Sequence, residues 1–351
     1  METKNTLSVK AFCFIIVFTM ITGFLATAQD FHFSQFDETP VQLNPSNTGV
    51  HHEIQAIANY KNQWASISSP YKTFALSFDT RLLRKKKNHM GFGFDFLNDK
   101  AGDAAVATNQ FNVSLSAIIP ISRKSIFSGG LMFGYSQHTI NTGALTWGNQ
   151  YNGMAYESSL ASGEPVTAGS FGYADLGAGI NYSYGTDEMY ISSNDARKIN
   201  IGFSVFHPHQ PIYSFYGDAS EKLYTKFVFN GNAAIGMKGT NLVLKPSYIV
   251  FVQGPTKEIT PGMMFQYILQ SGSKYTDNKK PAAFSIGGYY RLKDALIAVV
   301  KFEYANYEIG FSYDINLSQL KTVTTTRGGF EISLRFVAPS AFKKPRTEAR
   351  F

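Results

Sequence analysis

The sequence is poor in cysteine and in charge. Its single cysteine, Cys13, lies in an N-terminal apolar segment, so we expect no disulfide, thiolate metal site or cysteine nucleophile in the mature protein. Only 16% of the residues are charged, whereas 15% are aromatic and 30 are glycines. This composition argues against an ordinary helical enzyme and favours a large β-structure.

Long apolar runs are also lacking. The longest extends from Ala11 to Ala26, after the basic residues Lys4 and Lys10. Its length is about 16 residues, less than the roughly 20 that a membrane-spanning helix needs. The small residues Ala26-Thr27-Ala28 end it, as at a cleavage site. We therefore predict a signal peptide over residues 1–28 and no transmembrane helix in the mature chain.

Alternation of apolar and polar residues dominates the remaining sequence, most clearly at residues 330–336. Such segments, bounded by turn residues, predict strands at 53–62, 72–80, 90–98, 106–119, 126–140, 171–184, 198–206, 223–237, 241–252, 258–269, 281–291, 294–304, 306–316 and 328–337. An even number of strands of about ten residues, without a membrane helix, is typical of outer-membrane proteins. The expected fold is all-β, a transmembrane antiparallel β-barrel of about 14 strands.

A soluble β-sandwich would also alternate, because one face of each strand would meet a core. Two observations favour the membrane barrel. Aromatic residues such as Tyr60, Tyr135, Tyr248 and Tyr304 recur near strand ends, as in interfacial girdles. The other face of the strands carries small or charged residues, which suit a polar lumen better than a dry core.

The predicted barrel occupies residues 53–337, between an N-terminal arm and a C-terminal tail. Residues 29–52 are too polar and too rich in proline for a strand, so we expect a periplasmic arm or partial plug there. The tail spans 338–351 and is predicted to be periplasmic. With both termini on that side, the two longest connections, Asn141–Ser170 and His207–Lys222, are external.

Basic residues concentrate in the connections predicted to be periplasmic. Turns near Arg81–Lys87, Arg123-Lys124 and Lys279-Lys280 carry them. These runs are either solvated turns or a surface for an acidic periplasmic partner. They lack interleaved aromatic residues, so we predict no nucleic-acid binding.

No catalytic constellation is recognisable in the sequence. Histidines at 32, 51, 52, 207 and 209 lack the spacing of a metal site, so we predict no metal and no cofactor. Acids on or near strands, such as Asp95, Asp175 and Glu331, are explained more simply as lumen-lining residues than as a hydrolytic pair. Gly202-Phe203-Ser204-Val205-Phe206 lacks the second glycine of a nucleophile elbow. We predict that the protein is not an enzyme.

One long motif follows the predicted cleavage site. Residues Gln29–Phe36, followed by Pro40, Leu43-Asn44-Pro45 and Gly49, resemble the opening signature of the PorP/SprF family of type IX secretion outer-membrane proteins. Further similarity extends along nearly the whole mature chain, at 61–64, 71–74, 77–79, 99–102, 145–150, 175–179, 202–205, 245–248 and 328–336. Phe31 and Asp37-Glu38-Thr39 depart from the family pattern, which leaves partner specificity open.

The resemblance implies a role in type IX secretion. Members support export or surface anchoring of large cell-surface proteins, such as gliding adhesins, through their C-terminal domains. The implied partners are such a secreted protein, other type IX components at the periplasmic rim, and outer-membrane lipid. As contact residues we predict Phe33, Gln35, Phe36, Asn44 and Pro45 in the arm, Asn62, Gln63 and Trp64 in the first external loop, and Trp147 in a later one.

Two other functions remain open from the residues alone. A substrate-specific diffusion channel would conduct ions without any partner. A barrel hydrolase would depend on one lumen acid or serine. The sequence favours the secretion component only through the family resemblance.

Overall fold

The protein forms fourteen β-strands. The computed structural model describes residues 30–64, 69–85, 88–102, 106–163, 169–186, 194–272, 279–318 and 324–338. The strands are β1 (Ile54–Gln63), β2 (Tyr71–Lys85), β3 (Asn88–Ala101), β4 (Val106–Pro120), β5 (Ser125–Thr139), β6 (Ser170–Thr186), β7 (Arg197–Phe206), β8 (Lys226–Gly236), β9 (Leu242–Gln253), β10 (Thr256–Gln270), β11 (Ala282–Arg291), β12 (Ala295–Tyr304), β13 (Tyr307–Asn316) and β14 (Arg327–Val337).

The strands close into one antiparallel barrel in sequence order, and β1 pairs with β14 to complete it. We call the end at which β1 begins and β14 ends the proximal end, and the opposite end the distal end. The predicted all-β barrel of about 14 strands is confirmed, and the alternative of a soluble sandwich is wrong. Closure leaves no unpaired strand edge, which a lipid environment requires.

The outer face of the barrel is apolar, and the inward face carries polar residues beside an apolar cluster. On β13, Glu308, Ser312 and Asp314 are buried, whereas Ile309 and Phe311 between them are exposed. The same inversion recurs around the wall, at outward residues that include Phe74, Leu76, Phe111, Leu131, Ile180, Ile201, Phe229, Phe265, Ile286, Phe302, Ile332 and Leu334. An outer surface of this kind is stable against lipid rather than water.

The two longest predicted connections lie at the distal end. They are residues 140–169, between β5 and β6, and residues 207–225, between β7 and β8. At the proximal end the connections between β8 and β9 and between β12 and β13 are tight turns. Among the described residues, no helix has the length and apolarity needed to cross a membrane.

Strand β2 extends further than the alternation predicted. The predicted strand ended at 80, with the basic residues from Arg81 onward in a turn, but β2 continues to Lys85. Arg81 is held in the wall because its guanidinium donates hydrogen bonds to the carbonyls of Gly49 and Val50 inside the barrel. The predicted signal peptide and residues 339–351 of the predicted tail lie outside the described residues.

The apolar outer face predicts that a charged residue destabilises the barrel more on the wall than in a connection between strands. Ile286 is 53% exposed on the outer face near the middle of β11. Ile286→Arg should destabilise the barrel folded in lipid vesicles by about 2–4 kcal/mol, because it places a cation in hydrocarbon. Ile212→Arg, in the distal connection 207–225, is the matched control and should cost about 0–1 kcal/mol. Equal losses in denaturant titrations of the two variants would contradict a lipid-facing wall at Ile286.

Candidate functional site: an arm inside the barrel

Residues 31–50, here called the lumenal arm, run inside the barrel as short helical turns. These turns are Phe36–Glu38, Pro40–Leu43 and Pro45–Asn47. Pro40 and Pro45 begin the last two, a position where proline loses no backbone hydrogen bond. The Asn44 side chain caps the final turn by accepting from the Ser46 backbone N–H at 3.0 Å. The arm is thus ordered by its own sequence as well as by the wall.

The distal part of the arm is anchored to acids on the wall. The carboxylate of Glu331 on β14 accepts hydrogen bonds from the backbone N–H groups of Ser34, at 2.8 Å, and Gln35, at 3.0 Å. The Ser34 hydroxyl donates to Asp314 at 2.7 Å and lies 3.1 Å from the guanidinium of Arg291. Hydrogen bonds to charged groups are stronger than neutral ones, so this contact fixes the chain near the distal end.

A buried charge cluster anchors the middle of the arm. The Lys301 ammonium on β12 is ion-paired with both Asp37 and Glu38. Arg335 on β14 lies 3.7 Å from Glu38. Glu308 lies 3.6 Å from Lys301 and also pairs with Arg335. Burial raises the pKa of Glu38, whereas the positive charges of Arg335 and Lys301 oppose that rise. Two cations, one on β12 and one on β14, are therefore paired with two arm acids and one wall acid.

Two apolar contacts flank these polar anchors. The ring of Phe36 packs against Tyr289 at 4.8 Å and joins a buried cluster with Val228, Ile249 and Val299. Phe33 packs with Ala75 and Leu97 on the opposite wall. The arm therefore contacts both sides of the lumen at this level.

Glycines let the arm approach the wall of β5 and β6. A Cβ on Gly130 would lie 2.4 Å from the Pro45 backbone, and one on Gly179 would lie 2.0 Å from the Asn44 side chain. Asn44 also donates to the carbonyl of Ile180 at 3.0 Å, and Ser204 donates to the carbonyl of Leu43 at 2.6 Å. Any side chain at these two glycines would push the arm away from the wall.

The arm reaches the proximal end just before β1. Ser116 donates to the carbonyl of Thr48 at 2.6 Å, and the Gly49 N–H donates to Asp79 at 2.8 Å. Beside the arm a cavity of about 220 Å³ remains, lined among others by Leu43, Lys198 and Asn230. The arm thus crosses the lumen from the distal half of the wall to the proximal rim.

The predicted contact residues fall into two groups. Phe33, Gln35, Phe36, Asn44 and Pro45 lie together in the arm, buried against the barrel wall. The others are at the distal end and are only partly exposed. Asn62 and Gln63 end β1, Trp64 stacks edge-on against Tyr71 at 4.8 Å, and Trp147 precedes the turn Gly148–Gln150. The structure brings the first group together and keeps Trp64 and Trp147 on separate connections.

Sequence reasoning missed the wall residues that hold the arm, above all Lys301 and Arg335. Their signal was present, because each is a charged residue on an inward position of an otherwise alternating strand. The acids predicted to line the lumen do so: Asp95 accepts from Asn112 at 2.7 Å, and Asp175 lies 2.7 Å from His207. Within the described part of the chain, no group of three His, Cys, Asp or Glu side chains is placed to hold a metal ion.

Comparison with known families identifies the family to which this chain belongs. The family model described as type IX secretion system membrane protein PorP/SprF matches residues 25–336. The chain belongs to the PorP/SprF family. The match covers the lumenal arm and nearly all of the barrel, so both are parts of this PorP/SprF protein. A closed barrel with an apolar outer wall, in a secretion-system membrane family, points to the outer membrane.

Three solved barrels show distant similarity to this PorP/SprF protein. BamA from Haemophilus ducreyi lacking POTRA domains 1–3 is 8% identical, with 82% of this chain and 71% of that chain covered and a TM-score of 0.41. The CymD monoaromatic hydrocarbon channel is 11% identical, with coverages of 88% and 95% and a TM-score of 0.44. The P. putida toluene transporter TodX is also 11% identical, with coverages of 86% and 93% and a TM-score of 0.42. No curated protein matches the chain.

The charge cluster predicts a large effect of one lysine. Lys301→Met should destabilise the PorP/SprF barrel by about 3–5 kcal/mol, because the buried Glu38 and Glu308 and the partly buried Asp37 would be left without this cation. The measurement is a denaturant titration of the folded barrel in detergent. Lys279→Met, at an exposed lysine of the proximal rim, is the control and should stay within about 0.5 kcal/mol of wild type. A Lys301 variant as stable as the control would show that the arm is not held by this cluster.

Proposed function

We propose that this protein is an outer-membrane docking component of the type IX secretion system. In this role it supports export or surface anchoring of a large secreted protein, such as a gliding adhesin, which it recognises through that protein's C-terminal domain. Family membership supports the secretion system, and the arm inside the lumen supports docking rather than conduction. The arm carries the proposal, because a lumen crossed by a buried, ion-paired segment is a poor conduit for a polypeptide.

The distal connections are the proposed docking surface. Near the tip of residues 140–169, Tyr151 and Tyr156 pair across a short hairpin. The Asn152 side chain accepts from the backbone N–H groups of Met154 and Ala155, both at 2.9 Å. Met154 is thereby held at the tip, where it is 92% exposed. A large apolar side chain presented by a braced turn favours a protein contact.

We assign the predicted contact role first to residues of this end, Asn62, Gln63, Trp64 and Trp147. The five arm residues are buried against the barrel, so a partner reaches them only when the arm moves. The proximal rim is proposed to face the periplasm, where exposed Lys279 and Lys280 would meet other secretion components. A diffusion channel finds less support, because the arm occupies the lumen.

The orientation can be tested by labelling single cysteines. In a Cys13→Ser background, Met154→Cys should react with a membrane-impermeant maleimide on intact cells, because the distal end faces outward. Met237→Cys, in the proximal turn after β8, is the matched control and should react only after the outer membrane is broken. The reverse pattern would place the distal end in the periplasm and overturn the proposed docking surface.

The function can be tested by surface proteomics and affinity capture. A deletion strain should lose one or a few large surface proteins, and the same proteins should co-purify with the tagged barrel in mild detergent. Met154→Ser together with Tyr156→Ser should reduce that capture at least tenfold, whereas Met237→Ser should not change it. An unchanged surface proteome, with steady ion conductance of the pure protein in planar bilayers, would instead establish a channel.

A further inference from the structure

We propose that the outer wall formed by β4 to β7 carries a binding groove for an anionic phospholipid. The acyl chains would lie in an apolar depression of the wall, and the phosphate would meet Arg123 and Lys124 on the proximal turn. This inference concerns the lipid-facing side of the barrel and is separate from the docking surface at the distal end.

The groove has a volume of about 660 Å³. Its sides are the outward side chains of Leu115, Leu131, Ile180, Phe203 and Val205, which come from β4 to β7. Leu131 and Ile180 are about half exposed, so the groove is open to the surrounding hydrocarbon. Side chains of this kind match acyl chains and offer a polar ligand no hydrogen bond.

The depression exists because small residues are adjacent on the outer face. Ala117 on β4 pairs with Gly129 on β5, and Ala178 on β6 pairs with Leu131. The floor is Gly130 and Gly179, the two glycines against which the lumenal arm packs from inside. Only the strand backbone therefore separates the groove from the arm at these two glycines. On β2 and β3, by contrast, the outer face is covered by the large side chains of Phe78 and Phe94.

A basic turn lies on the proximal side of the groove. Residues 121–124 join β4 to β5 at the proximal end, and Arg123 and Lys124 on this turn are exposed. The Tyr182 hydroxyl lies 3.1 Å from the Ser125 hydroxyl beside them, at the level where interfacial tyrosines sit. Both cations lie on one short turn without an acid. They therefore favour an anionic phospholipid headgroup over a zwitterionic headgroup, which has no net charge.

The distance between the two features fits one lipid molecule. Ala117 is three residues from the end of β4, and Gly129 is four residues from the start of β5. At about 3.3 Å per residue, the groove begins roughly 10–13 Å from the turn. That is within one leaflet, whose hydrocarbon is about 15 Å thick. With the proximal end in the periplasm, the ligand is a phospholipid of the inner leaflet rather than lipid A of the outer one.

Native mass spectrometry of the purified full-length barrel tests the site. Wild type should retain one phosphatidylglycerol at least tenfold more tightly than phosphatidylethanolamine. Gly129→Leu should fill the groove without disturbing the arm, since a Cβ there is 4.0 Å from its nearest neighbour, the Gly179 carbonyl. We expect it to abolish retention of both lipids. Arg123→Gln with Lys124→Gln should remove the preference for phosphatidylglycerol.

Two matched controls separate the groove from general lipid contact. Ala298→Leu places a leucine on the outward face of β12, and Lys279→Gln with Lys280→Gln removes two exposed cations of another proximal turn. Both should retain lipid as wild type does. The proposal is overturned if Gly129→Leu retains as much phosphatidylglycerol as Ala298→Leu, if lipid A is preferred to phosphatidylglycerol, or if a second copy of the chain occupies this face.

Discussion

The ion pairs between Lys301 and the acids Asp37 and Glu38 hold one polypeptide segment across the inside of a wide barrel. In an eight-stranded barrel the inward side chains fill the interior, whereas barrels of sixteen or more strands leave an aqueous channel. Fourteen strands lie between these cases. Here the lumenal arm supplies the missing interior: its backbone is held by Glu331, its acids by cations of the wall, and Phe36 by an apolar cluster.

The same contacts explain why polar residues can be buried in the lumen. A buried charge destabilises a protein unless it is paired and hydrogen-bonded. On β12 and β14 the inward charges of Lys301, Glu331 and Arg335 find partners on the arm, so these strands depend on it for part of their charge pairing. On β5 and β6 the inward positions nearest the arm, Gly130 and Gly179, are glycines, because there the arm takes the space of side chains. The wall and the arm are therefore complementary in charge on one side and in shape on the other.

Much of this architecture could be predicted from the sequence. Alternation with period two located all fourteen strands, since a strand with lipid outside and a polar lumen inside must alternate. Proline and polar residues separated the segment before β1 from the strands.

The docking of that segment could not be predicted, because Gln35 and Glu331 are far apart in sequence and no local pattern links them. The end of β2 was misplaced for the same reason: Arg81 resembles a turn residue until its carbonyl partners at Gly49 and Val50 are known. The motif of residues 29–49 was identified only as a family resemblance. The course of residues 31–49 through the lumen, from the distal half of the wall to the proximal rim, explains why that stretch is long.

The position of the arm also dictates an order of events in biogenesis. Its anchors Glu331 and Arg335 belong to β14, the last strand to be synthesised, and β14 also pairs with β1 to close the sheet. The arm therefore cannot make all of its contacts until β14 has been synthesised. Lys301 on β12 and Arg335 on β14 both meet Glu38, so a residue that precedes β1 is held by two of the last three strands. Folding that depends on contacts so distant in sequence is slow, and until it is complete the chain exposes both an unpaired edge and an empty, charged interior. The pairing of β14 with β1 thus completes the sheet and the anchoring of the arm in the same event, so the seam between these two strands is the point at which the exposed edge and the empty interior disappear together.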